Sequence, residues 1–163
     1  IGPLSLWCAP DAHHPDFAHC RAFGDIRLLP QPEGDLGARM HAAVAASRTP
    51  AGGLIIGTDC PLLTPGLIRR AAAALQQHDA VVVPAEDGGY VLIALRQAKP
   101  QLFAGIDWST GHVMAQTRAR MRDLGLRCHE PGRLWDVDRA QDFERLAARL
   151  PEVRGVVAPR ARA

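Results

Sequence analysis

The sequence predicts an α/β layered fold built on one mixed sheet, and two observations carry that prediction. Short apolar runs alternate with helical patterns along most of the chain, as in folds whose strands are joined through packed helices. In the middle, two apolar runs flank Asp87-Gly88-Gly89, a hairpin signal because glycine accepts the positive φ of tight turns. That hairpin turns one strand antiparallel in an otherwise parallel sheet. The length of 163 residues, 47% hydrophobic and 22% charged, suits one well-filled core.

Each element has its own local signal. "LSLWCAP" (4–10) reads as a buried strand closed by Pro10. "PDFAHCRAF" (15–23) is a short helix with Pro15 at its first position and Gly24 as its stop. "IRLLPQ" (26–31) is an edge strand, because Pro30 cannot donate to a ladder. Asp35 caps a helix over 35–48 that ends at "PAGG". "LIIGTD" (54–59) is the strongest candidate for a central strand. Thr64 and Pro65 open a helix over 64–78 with Leu67, Ala71 and Leu75 on one face. After the hairpin comes an amphipathic helix over 109–125, begun by Ser109 or Thr110 and ended by glycine. "LRCHEP" and "LWDVD" form a last strand with a break, and Asp138 caps a helix over 139–150. Residues 1–150 read as one domain and 151–163 as a loose basic tail.

Composition narrows the function classes. A formal charge of +2 is too small to argue for nucleic acid, and no apolar run approaches the ~20 residues of a membrane span. Cys8, Cys20, Cys60 and Cys128 have no metal-ligand spacing. They are expected to be reduced thiols in a cytoplasmic protein. The opening at Ile1, close before an apolar stretch, reads as a start partway through a longer protein or as a truncated copy of one.

Chemistry is expected at the strand ends, since open α/β sheets bind ligands beyond the carboxyl ends of their strands. Asp59 and Asp138 each follow an apolar strand and precede a turn or helix. Together they could hold Mg²⁺ or Mn²⁺ against a diphosphate, with Asp136 as an alternate ligand. Asp59 could instead make only a turn, and Asp138 only a helix cap.

"IIGTDCPLLTP", "AEDGGYVLIAL", "FAGIDWSTGHVMAQT" and "LWDVDRAQDFERL" occur in this order, preceded by "EGDLGARM" at 33–40. In these motifs residues 1–150 resemble a bacterial family of GT-A-type transferases, labelled glycosyltransferases of arsenosugar biosynthesis or radical-SAM/selenodomain-associated transferases. The resemblance implies the three-layer α/β/α, Rossmann-like nucleotide-diphospho-sugar transferase fold, with one antiparallel strand. It also implies that Asp59 and Asp138 match the two acidic positions that hold the metal in related transferases. The sequence departs from that family in lacking its first strand and the Gly-, Lys- and Arg-containing phosphate loop.

Further positions carry two readings each. Asp87, beside Glu86, is a catalytic or ligand-contacting candidate, although the glycines after it are explained by the hairpin. Trp108 could stack on a sugar or simply pack. Asp35, Gly37 and Arg39 begin a helix whose N-terminus could face a phosphate. The leading expectation is a transferase that binds a nucleotide sugar through a divalent metal and moves a glycosyl group to a small acceptor, with Asp59 and Asp87 as catalytic candidates. The alternatives are a nucleotidyltransferase and a non-catalytic binding module. A homo-oligomer is compatible with a sheet that lacks a central strand.

Overall fold

The structure is a computed structural model that describes residues 2–47 and 49–155. Its strands are β1 (Leu4–Cys8), β2 (Ile26–Pro30), β3 (Gly53–Ile56), β4 (Ala80–Pro84), β5 (Tyr90–Leu95) and β6 (Cys128–His129). Its helices are α1 (Pro15–Cys20), α2 (Leu36–Ala46), α3 (Pro65–Ala74), α4 (Val113–Asp123) and α5 (Ala140–Arg149). Residues Pro151–Gly155 form a 3-10 turn, and the remainder of the expected tail lies outside the described residues.

The main sheet has the order β3-β5-β4-β6. β5 is antiparallel to both β3 and β4, while β4 and β6 are parallel. The reversed strand is the one that the Asp-Gly-Gly turn predicts. Gly88 supplies the left-handed backbone (φ 96) at that turn, and the register shifts between Val83 and Pro84, so the bulged strand end bends as it enters the turn.

Strand β4 is buried along its whole length and β5 over all but Tyr90. Their side chains alternate between two cores. Ala80, Val82, Ile93 and Leu95 pack with Met40 and Val44 of α2 and Met114 and Met121 of α4. Val81, Val83, Leu92 and Ala94 pack instead with Leu67 and Ala71 of α3. A sheet sandwiched this way explains the near-continuous apolar run "AVVVP", which strict alternation would not give. Truncating Ile93, with 1% of its surface exposed, would cost about 2–5 kcal/mol.

Four expectations need correction. The expected single sheet is divided, because β1 and β2 pair in parallel as a separate two-stranded sheet. β3 is consequently an edge strand: among the described residues only β5 pairs with it. Helix α4 begins at Val113 instead of 109. Ser109 takes a positive φ of 62, and the Thr110 hydroxyl is engaged in the preceding turn, donating to the Asp107 carbonyl at 2.7 Å. Finally, Asp138 does not cap α5. The Asp142 carboxylate reaches back to accept from the N–H of Arg139 at 2.9 Å and of Asp138 at 3.3 Å. That leaves the Asp138 carboxylate available for other contacts.

No described helix is long and apolar enough to cross a membrane. All four cysteines are free thiols.

Candidate active site

Four tethers fold the segment 134–138 against the rim of the sheet. The N–H of Leu134 donates to the Pro84 carbonyl at 3.0 Å, and Ala85 and Leu134 form a parallel bridge. The Cys60 thiol donates to the Trp135 carbonyl at 3.3 Å, and the N–H of Val137 donates to the Asp59 carbonyl at 2.9 Å. The Arg145 guanidinium lies 4.4 Å from the centre of the buried Trp135 ring. Arg145 also grips both oxygens of Glu86, at 2.7 and 3.0 Å. One cation therefore ties the hairpin turn to the last strand segment through a stacked and a bidentate contact. It also holds the Glu86 carboxyl below its ordinary range.

The result is a cluster of three carboxylates. Asp87, Asp136 and Asp138 each offer an oxygen, and these oxygens lie within 4.8 Å of one another. The hairpin aims Asp87, whose Oδ1 accepts from the N–H of Gly89 at 2.9 Å. Burial pushes the Asp136 carboxyl above its ordinary value, opposed by a backbone hydrogen bond and reinforced by the charges of Asp87, Asp138 and Asp59. Such crowding of like charges is relieved by a cation. Three hard oxygen donors are the set that Mg²⁺ or Mn²⁺ takes, so these residues could hold one.

The expected pairing of Asp59 with Asp138 is thus reapportioned. Asp59 is exposed on the same rim, bonded through its carbonyl to Val137, and close enough for its charge to act on Asp136. Its side chain folds back over Gly57, where an added Cβ would stand 2.6 Å from Oδ1. It borders the three-oxygen cluster without being one of its members. Asp87, expected as a catalytic group, is the acid that completes the cluster.

The remaining candidates lie outside the carboxylate cluster. Gly88 and Asp87 abut Gly111 so closely that a Cβ on Gly88 would overlap the Gly111 backbone. Trp108 is packed, not presented: its ring sits 6.5 Å from Phe103 and against Gly37, where a Cβ would come within 2.7 Å of the indole. Gly37 is therefore a seat for Trp108. Its indole Nε1 is buried with no hydrogen-bond partner among the described residues. Asp35 caps α2 by accepting from the N–H of Ala38 at 2.8 Å, so a carboxylate stands where a phosphate would bind. Arg39 is held by the Gly34 carbonyl and Gln31 Oε1. None of these four belongs to the carboxylate cluster.

Sequence reasoning missed the Glu86–Arg145 pair and the ion pair of Arg118 with Glu130, at 2.7 Å.

The fold resembles that of a solved protein described as a "putative nucleotide-diphospho-sugar transferase" from Desulfovibrio desulfuricans G20. The match has a TM-score of 0.73 at 30% identity and covers 84% of this chain. The chain spans 62% of the length of that protein. The architecture is accordingly that of the nucleotide-diphospho-sugar transferases. Residues 1–110 match the bacterial family described as "Uncharacterized protein conserved in bacteria (DUF2064)", and the chain belongs to that family. No curated protein matches the chain.

Proposed function

We propose that the protein is a nucleotide-diphospho-sugar transferase that moves a glycosyl group to a small acceptor. The observation that carries this reading is the convergence of Asp87, Asp136 and Asp138 to within 4.8 Å at the rim of such a fold. Mg²⁺ or Mn²⁺ held there would neutralise the diphosphate of the leaving nucleotide. Asp136 and Asp138 would be the principal ligands, Asp87 the third, and Asp59 a fourth carboxylate on the same rim. In the transfer, an acceptor hydroxyl oxygen bonds to the anomeric carbon and the bond from that carbon to the diphosphate breaks. The nucleoside diphosphate leaves with the electron pair, and the hydroxyl proton passes to a rim carboxylate.

The test is thermal unfolding with millimolar Mn²⁺, alone and with nucleotide sugars, followed by detection of nucleoside diphosphate release. Binding at ~100 times Kd adds about 2.7 kcal/mol, which is on the order of 5–10 °C for a domain of this size. Asp87→Asn and Asp138→Asn should each remove most of that shift while the metal-free protein stays folded. A parent protein unmoved by Mn²⁺ and nucleotide sugar together would overturn the reading. Pyrophosphate release from a nucleoside triphosphate would redirect it to nucleotidyl transfer.

A further inference from the structure

A cavity of about 440 Å³ is lined by Pro84, Ala85, Met114, Arg118, Glu130 and Arg133, together with Gly88 and Gly132. Its volume falls within the range of small-molecule sites. It adjoins the cluster twice along the chain: Gly88 follows Asp87, and Arg133 lies three residues before Asp136. The floor is apolar, since Pro84, Ala85 and Met114 are buried.

The polar lining has a definite charge pattern. Arg118 is fixed by Glu130 in a two-point contact, Nε to Oε1 at 2.8 Å and Nη2 to Oε2 at 2.7 Å. Its Nη1 edge has no such contact among the described residues. Among the described residues Arg133 uses only one donor, from Nη2 to the Glu86 carbonyl at 3.0 Å. No described carboxylate forms an ion pair with it. The nearby Glu86 carboxylate is turned to Arg145 by the bidentate pair. With two guanidinium groups against one carboxylate, the lining carries a net positive charge, and Arg133 lines the space with N–H donors that are unused among the described residues.

We infer that this cavity is the acceptor subsite, and that it takes a compact acceptor bearing an oxyanion, a carboxylate or a phosphate, held by Arg133 and the free edge of Arg118. The planar guanidinium fork matches both groups in two-point geometry. The apolar lining takes the body of the molecule, and Gly88 and Arg133 connect the cavity along the chain to Asp87 and Asp136. The name of acceptor rests on the transferase reading; the anion site itself does not.

The experiment separates the two. Inorganic phosphate and malonate are titrated separately by calorimetry into the full chain, stripped of metal over chelating resin, at constant ionic strength, so that no metal can bridge them to the aspartates. The parent should bind one or both saturably, and the tighter of the two tells phosphate from carboxylate. Arg133→Gln should weaken that binding by roughly tenfold or more, the loss expected for one charge-assisted contact. Arg133→Lys keeps the charge without the fork and should lose less. Arg70→Gln on α3, exposed and outside the cavity, is the control and should bind like the parent. Absence of saturable binding in the parent, or an Arg133→Gln protein that binds as tightly as Arg70→Gln, would overturn the inference. Neither result bears on Mn²⁺ or nucleotide-sugar binding, so the transferase reading stands or falls separately.

Discussion

Asp136 holds the least comfortable charge at the site. Its carboxyl is raised chiefly by burial and further by the carboxylates of Asp87, Asp138 and Asp59. In the unfolded chain it would titrate near the ordinary aspartate value of about 3.9. The folded state therefore holds the proton more tightly, and stability falls as pH rises through the window between those two values. Above the window the penalty is constant, and it is present in full at neutral pH. Asp136→Asn removes it, so the metal-free variant should melt higher than the parent at pH 7, by about 2–4 °C for each kcal/mol relieved. At a pH below the unfolded value the two should differ little. The same variant should lose Mn²⁺-dependent stabilisation. Melting curves across pH check both halves, and a variant less stable at neutral pH without metal would contradict the account. The acids at 59, 136 and 138 were legible in the sequence because each stands where an apolar strand ends. Which of them meet was not legible. Asp87 joins the cluster through the Glu86–Arg145 pair, whose members lie 59 residues apart, and no local pattern announces such a contact. The freeing of Asp138 depends on Asp142 reaching back to the start of α5, a choice between two nearby acids that the sequence leaves open.

The β4–β5 hairpin is the element that aims the site, and it was legible because its cause is local: two glycines between apolar runs. Its partners were not. Gly88 sits at φ 96 with the Gly111 backbone against it, and its carbonyl accepts from the N–H of Met114 at 2.7 Å. One residue thereby sets the turn, the loop before α4 and the first turn of that helix. Gly88→Ala meets strain in a conformation that L-residues rarely adopt, which costs on the order of 1–3 kcal/mol, and then a clash with backbone that has no rotamer to change. The variant should lose at least about 2 kcal/mol by urea unfolding and bind Mn²⁺ more weakly, because Asp87 moves with the turn. Gly132→Ala is the comparison: an added Cβ there has open space around it, and its φ is not positive. It should fall within about 0.5 kcal/mol of the parent. Equal stability of the two variants would mean that the turn imposes no such constraint.

At the scale of the molecule, the two sheets should differ in how often they open. In β4 every residue is buried and both edges are paired, to β5 and β6. In β1, Leu4 and Ser5 are exposed, Leu6 and Trp7 half-buried, and only Cys8 is buried. β1 and β2 make a two-stranded parallel sheet, and parallel pairing is ordinarily found buried on both faces. The sequence pattern "LSLWC" promised a buried strand, but apolar content specifies burial only where neighbouring strands are there to provide it. For β3 the same reasoning explains an apolar strand at an edge, with Ile56 40% exposed. Local opening follows the density of buried contacts. Amides of β4 and β5 should therefore exchange only through global unfolding, whereas those of β1 and β2 exchange through a smaller opening that leaves the main sheet intact. Hydrogen exchange under native conditions should show the difference as at least about a hundredfold slower exchange in 80–84 and 90–95 than in 4–8 and 26–30. Adding denaturant below the unfolding transition should speed β4 and β5 steeply and β1 and β2 hardly at all, because a local opening exposes little surface. Equal protection in the two sheets, with equal denaturant dependence, would show that β1 and β2 open only with the whole domain and that the two sheets form one cooperative unit.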